Sequence, residues 1–544
     1  MPTHRDWLSR ISRRDFLEGT LATAAGLSVL PSCATGKKVL LPPHGALAGE
    51  IYEACHARAG ESARRDALEP ECPAVAILGG GLSGLSAGWA LKKLGIDDFV
   101  IFDKEPVAGG HARTAQLQGR IAAAGGASSL EPWGELLVDF YRSVGVVPAG
   151  AEKPEPQYLL PEPANRSFIG GRWVDDAWGE GMDRLPLGEE TLTSLKRLRA
   201  SVRALGAFKG SDGKSAFDVP ADESTEDDRV RGLDEQSFAA WAASLDIPPE
   251  VTAFFDPFCR ADLGMTPGDV SAWAAIGSLQ SEWSPSLARP GGTAYLAERL
   301  VRLVGQRRLK LSRIAVHVAP VVGGVEVTTT DPAGKDVRTL RAKRAIVALP
   351  KYIAGRVVAE LPQAQRAAWQ GLDYRPYLVA NLALRELDPS LGYDNWLHRG
   401  DAEPPERRLV TDVVVGDIQE RRGAGGPGLL TAYCPVLPPF TRRQLVTEPY
   451  EVWAERIVSA IEPALPGLRE RLLAMDLFRW GHARVTAPPG AIFGGSRALA
   501  MRAFGPLHFA HTDLDGVPAV EGAIAHGVRA GREAAKALGV RIAQ

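Results

Sequence analysis

The sequence predicts an α/β fold whose leading domain binds a dinucleotide, and three observations carry that expectation. Val75-Ala76-Ile77-Leu78 is a short apolar run suited to a buried parallel strand. Gly79-Gly80-Gly81-Leu82-Ser83-Gly84 follows as a GxGxxG turn, and Asp103 closes the next apolar run, Phe99-Val100-Ile101-Phe102. Between the two runs Leu85, Trp89, Leu91 and Leu94 recur at helical spacing. Each glycine has a task. Gly79 permits the tight turn, Gly81 lets a pyrophosphate approach the backbone, and Gly84 lets helix and strand pack closely. The phosphates then meet the helix's free N–H groups at its positive end, and Asp103 is placed to accept from ribose hydroxyls. The unit is Rossmann-type.

Composition bounds the rest. At roughly 150 residues per domain, 544 residues predict two to four folding units, and 45% hydrophobic content excludes a disordered polymer despite 58 Gly and 40 Pro. The 63 basic and 65 acidic residues leave a net charge of −2, which argues against a broad basic face for nucleic acid. Five cysteines (Cys33, Cys55, Cys72, Cys259 and Cys434) contain no CxxC pair and predict no disulfide framework.

The N-terminus reads as an address, residues 1–33. Ser12-Arg13-Arg14-Asp15-Phe16-Leu17 precedes an Ala-rich apolar run that is too short for ~30 Å of bilayer hydrocarbon. It resembles the bacterial twin-arginine export signal, which implies the export machinery as a partner and a periplasmic or exported location. Leu30-Pro31-Ser32-Cys33 is similar to a lipobox, with Pro31 a departure, and makes Cys33 a candidate lipid anchor. Residues 34–70 read as a linker containing a helix over 47–68.

Further along, residues 152–235 are polar and broken by Gly and Pro, and the acidic run 222–228 reads as a solvated loop. Residues 238–245 and 251–258 read as helices, with Asp234 and Ser237 as caps. Strands are expected over 315–318, 324–330, 337–340, 345–349 and 377–384, and helices over 450–461 and 468–473.

Asp103 is followed by Gly109-Gly110 and then His111-Ala112-Arg113, an extension that resembles FAD-binding flavoproteins of the glutathione reductase type. The resemblance implies that Gly109 and Gly110 bring backbone N–H groups to the pyrophosphate and that Arg113 adds charge there. His111 stands where an arginine is common. Near the C-terminus, Leu507-His508-Phe509-Ala510-His511-Thr512-Asp513 and Glu521-Gly522-Ala523-Ile524-Ala525-His526-Gly527 are similar to the closing motif of the flavin-containing amine oxidase superfamily. That likeness implies that Asp513 binds the ribityl or phosphate region of FAD. It also implies that the helix opening at Glu521, Gly522 and Ala523 points its dipole at the flavin's pyrimidine edge. In the same family order, Val316 would meet adenine through its backbone, and Ala348-Leu349-Pro350 would return the chain to the cofactor domain. The implied architecture interleaves an FAD-binding domain (71–135, 290–355 and 476–544) with an α+β substrate domain (136–289 and 356–475).

The substrate side departs from the amine oxidases. Ala519 replaces the aromatic expected before the Glu-Gly-Ala motif, and Ala380 and Asn381 stand where the family's lysine belongs. No cysteine follows Cys434, so FAD is expected to be noncovalent. In Arg479-Trp480-Gly481-His482-Ala483-Arg484, His482 is a candidate base and Trp480 a candidate pocket wall; an ion-paired strand end is the alternative. His508, His511 and His526 lack partners at ligand spacing, and no metal is expected. The leading expectation is an exported FAD-dependent oxidoreductase that abstracts hydride from a small organic substrate, an amine among the candidates. Oxygen or a membrane quinone would reoxidise it. A lipid or carotenoid desaturase or isomerase, and a non-catalytic flavin-binding partner, are the alternatives.

Overall fold

The computed structural model describes residues 47–49, 69, 72–126, 128–130, 134–160, 165–283, 285–400, 403–418 and 427–542. The export-like region, Cys33 and most of the expected linker lie outside them. Leu47–Gly49 is a strand, not the start of a helix, and pairs in parallel with Leu477, Phe478 and Arg479.

A five-stranded parallel sheet runs in the order Leu309–Lys310, Phe99–Phe102, Val75–Leu78, Arg344–Val347, Leu507–Phe509. All four residues of Val75–Leu78 and of Phe99–Phe102 are buried, because helices cover one face and a three-stranded meander covers the other. The meander is Ile314–Val321, Gly324–Thr330 and Arg338–Ala342. On the helical face, Leu82–Lys93 lies against Val520–Ala537. Glycine sets how closely they approach: a Cβ on Gly527 would stand 2.2 Å from the Ser83 carbonyl oxygen.

An eight-stranded sheet forms the second layer system, in the order Leu47–Gly49, Leu472–Val485, Tyr374–Leu384, Gly428–Pro435, Asp412–Val415, Asp394–Leu397, Asn165–Ile169, Arg172–Asp175. Helix Tyr450–Ile461 fills one face with Trp453, Ile457 and Ile461, and the other face overlooks a cavity. Helices between Glu189 and Ser281 build a separate core around Trp178, Phe238 and Phe258.

Several expected boundaries move. Leu472–Val485 is one continuous strand, so the cofactor domain does not resume at residue 476. It shares a long antiparallel ladder with Tyr374–Leu384, running from Leu472 to Val485, which holds the whole strand in the eight-stranded sheet. Helix formation after Leu468 stops at Arg471. Ser237 caps Phe238–Ala243 by accepting from the Ala240 N–H, whereas Asp234 is not a cap. Its carboxylate instead accepts from the N–H groups of Ile492 and Phe493 and from the Ser271 hydroxyl, tying distant segments together. The acidic run is also not simply solvated: Asp222 pairs with Arg497, and Ser224 and Thr225 are buried. Among the described residues no helix is long and apolar enough to cross a membrane.

Candidate active site

A cavity of about 500 Å³ begins at the carboxyl ends of the parallel strands and continues over the face of the eight-stranded sheet. Its first half is a dinucleotide cleft. Gly79 leaves strand Val75–Leu78 at φ +104°, and a Cβ there would lie 2.5 Å from the Ala348 carbonyl oxygen, so the turn accepts only glycine. A Cβ on Gly84 would stand 1.8 Å from the Gly79 carbonyl oxygen, which explains the close seat of helix Leu82–Lys93. Gly81 behaves differently. Its missing Cβ points into open space, with Gly110 Cα the nearest atom at 3.8 Å, and leaves room for a phosphate against the backbone.

Asp103 lines the cleft beside this turn. Its carboxylate accepts from the Gly80 N–H at 2.6 Å and the Glu105 N–H at 2.8 Å, which fixes its orientation at the cleft. Burial raises its pKa, while those two backbone bonds oppose the rise. Arg113 also lines the cleft, but its guanidinium is shared: it donates to Glu105 at 3.1 Å and lies 5.1 Å from the Trp480 ring centroid. His111 packs against Trp480 as well, their ring centroids 4.4 Å apart. Gly109, Gly110, Glu521 and Ala523 line the cavity. Gly522 does not; a Cβ there would meet the Asp515 carboxylate at 2.9 Å, so its role is packing.

Three sequence-derived assignments change. Val316 is buried behind the wall, at a bulge in the ladder, and the cavity is lined by Ile314 and Ala315 instead. Asp513 is fully buried and turned from the cavity into a network with Lys351 and Tyr374, so His511 and Thr512 form the wall there. His482 stacks on Tyr352, with centroids 3.8 Å apart, and Tyr352 rather than His482 lines the cavity. Trp480 is a wall residue, donating its indole N–H to the Ala124 carbonyl at 2.7 Å.

The second half of the cavity is a chamber that sequence patterning missed. Period-two alternation puts Tyr377 and Val379, Asp394 and Trp396, and Asp412 and Val414 on the same face of the eight-stranded sheet. The register is explicit: Asp412 stands opposite Trp396 on one side and Tyr433 on the other, and Tyr377 stands opposite Trp480. Asp262 and Glu282 enter from the helical cap. Among the described residues of this chamber, four carboxylates face one guanidinium, that of Arg484, which lies 5.3 Å from the Tyr377 ring centroid.

Burial raises the proton affinity of all four acids, and for Asp394 and Glu282 repulsion from neighbouring carboxylates adds to it. Asp412 is pushed up to about 8, with the Thr411 hydroxyl and Arg484 restraining the rise. Tyr377 is 3% exposed, and its hydroxyl has no hydrogen-bond partner among the described residues. One signal of the chamber was present in the sequence, the acid Asp412 heading the apolar run Val413-Val414-Val415. Asn381 does not line the cavity; it is buried, donating to the Ala123 carbonyl and accepting from the Thr431 hydroxyl.

The family model for flavin containing amine oxidoreductases matches residues 82–535. Among solved structures, wild-type putrescine oxidase bound to putrescine superposes with a TM-score of 0.64 at 19% identity, covering 86% of this chain and 99% of that one. Cyclohexylamine oxidase from Brevibacterium oxydans IH-35A gives 0.61 at 18% identity, with coverages of 86% and 100%. A CLA-producing fatty acid isomerase from P. acnes gives 0.59 at 14% identity, with coverages of 85% and 98%. No curated protein sequence matches the chain.

Proposed function

The chain belongs to the flavin-containing amine oxidoreductase family and is an FAD-dependent oxidoreductase, and from that premise we propose that it oxidises a cationic amine with a second positive charge. The glycine turn, the backbone-fixed Asp103 and the open space before Gly81 and Gly110 suit the FAD pyrophosphate and ribose. When bound, FAD accepts a hydride from the carbon bearing nitrogen.

The observation that carries the substrate reading is the chamber beyond the cleft, where Asp262, Glu282, Asp394 and Asp412 surround a space walled by tyrosine and tryptophan. Carboxylates in a low-dielectric cavity attract ammonium groups, and the aromatic faces add cation–π attraction. An ammonium must shed a proton before its nitrogen can assist C–H cleavage. Asp412, in its carboxylate form and with a raised proton affinity, is suited to take that proton. Four acids exceed what one ammonium needs, hence the second charge. Ala519 leaves that part of the wall without an aromatic ring and so leaves room for a branched or bulky substituent.

The protein is further proposed to be exported, a reading supported by Arg13 and Arg14 before the apolar run. Its electrons pass to oxygen or a quinone. The test is anaerobic mixing of the yellow holoenzyme with a diamine, a monoamine of equal chain length and an unsaturated fatty acid. The diamine is expected to bleach the flavin at about tenfold lower concentration than the monoamine. Turnover with the fatty acid alone would favour a lipid isomerase or desaturase, and no bleaching by any of them would favour a non-catalytic flavin carrier.

A further inference from the structure

The chamber beyond the cleft holds hydrogen-bond donors that an ammonium group cannot satisfy. Tyr377 and Trp396 both line it, 3% and 2% exposed. Neither the Tyr377 hydroxyl nor the Trp396 indole N–H has a hydrogen-bond partner among the described residues. An indole N–H only donates, and a buried donor without an acceptor carries its full desolvation cost. Burial, with the charges of Asp412 and Asp262 added, keeps the proton on the Tyr377 hydroxyl against the pull of Arg484, so this group too has a proton to give. Two other walls of the cavity show the contrast. Trp480 gives its indole N–H to the Ala124 carbonyl, and Tyr433 gives its hydroxyl to the Gly125 carbonyl at 3.3 Å. The fold supplies acceptors for those two and none for Tyr377 and Trp396.

The acids add donors of their own. Asp394 Oδ1 is buried and likewise has no partner among the described residues. Burial and neighbouring carboxylates push Asp394 and Glu282 well above the ordinary range, so both keep a proton that they can donate. A ligand that brings only ammonium groups brings only donors. A carboxylate would bring acceptors but would face four acids across a low-dielectric space. Uncharged oxygen is what remains, and a hydroxyl, unlike an ether, also donates to a carboxylate. Tyr377 and Trp396 lie on strands three places apart in the sheet, roughly 14 Å at the usual spacing. One oxygen does not serve both.

We propose, resting on the cationic-amine reading of this chamber, that the substrate is a polyhydroxylated amine whose hydroxyl oxygens accept from Tyr377 and Trp396.

The test measures kcat/KM of the yellow holoenzyme for putrescine and for diaminobutanediol, the same diamine with a hydroxyl on each central carbon. Putrescine leaves the buried donors unpaired and is expected to be the poorer substrate by roughly tenfold to a hundredfold. Tyr377→Phe removes one donor and keeps the ring, and the preference for the diol is expected to shrink about tenfold. The hydroxyls also lower the basicity of the amines, an effect equal in native enzyme and variant that cancels between them. A ring acting by packing alone would change both substrates together and leave their ratio as it was. Should Tyr377→Phe not fold, Trp396→Phe gives the same comparison at the second donor. Equal kcat/KM for the two amines in the native enzyme, or a native ratio retained in the folded variant, overturns the proposal. If both amines bleach the flavin equally well, hydroxyl recognition falls and the cationic-amine reading stands; if neither bleaches it, both fall.

Discussion

Lys351 and Asp513 form an ion pair with both side chains fully buried, Nζ 3.0 Å from Oδ1. Lys351 opens a helix immediately after the Ala348-Leu349-Pro350 turn, and Asp513 follows the last parallel strand, so the pair joins two distant stretches of the cofactor domain. The lysine also donates to the Leu349 and Ala510 carbonyls, and the Asp513 carboxylate accepts from the Lys351 N–H and the Tyr374 hydroxyl. Tyr374 begins an interior strand of the eight-stranded sheet. One carboxylate thereby couples the cofactor sheet to the substrate sheet.

Lys351→Met leaves Asp513 charged, buried and short of its partner, a change that costs about 3–5 kcal/mol. Urea unfolding should show that loss, with flavin released at lower denaturant than in the native protein. The Asp513 carboxyl is held below the ordinary range: burial opposes this, but Lys351 and His511 outweigh it. Its contribution to stability is present above an unfolded pKa of about 3.9 and disappears as pH falls below that value. A midpoint that falls less steeply from about pH 5 to about pH 3 in the Asp513→Asn variant than in the native protein is the expected signature.

Asp412 has the opposite sign. Its folded pKa of about 8 exceeds the unfolded ~3.9, so the folded state holds the extra proton and stability falls as pH rises between those values. Asp412→Asn should flatten that slope. A diamine should raise the native thermal midpoint more at about pH 8 than at about pH 6, because it enters a chamber with fewer protons to displace. Equal shifts at both pH values would count against the cationic-substrate reading.

Asp103→Ala removes a charged acceptor at the ribose site, worth roughly 1.5–3 kcal/mol. The fraction of protein retaining FAD after dialysis should drop sharply, with little change in far-ultraviolet circular dichroism, since the Gly80 and Glu105 N–H groups can turn to water.

Replacing Arg13 and Arg14 together by lysine should retain the protein in the cytoplasm, as judged by fractionation. Normal export of that variant would defeat the twin-arginine assignment.

The glycine turn at Gly79 and the acid at Asp103 were legible because their constraints are local: a positive φ, a helix start and a strand end are written within a few residues. Asp513 was misplaced for the converse reason. A carboxylate after a strand reads the same whether it faces a ligand or a buried lysine, and Lys351 lies far away in the chain. His482 was likewise visible as a histidine near the pocket, but Tyr352, from another segment, stacks on it and lines the cavity where His482 does not.

Taken alone, the order of residues determined the dinucleotide unit, its FAD-like extension and the closing helix, each held by short-range backbone geometry. Tertiary structure decided the chemistry of the substrate side. Asp262, Glu282, Asp394 and Asp412 come from separate helices and strands, and only strand register and the packing of the helical cap bring them around one space. Their raised proton affinities arise from burial and mutual repulsion, which depend on distance through space and leave no trace in spacing along the chain.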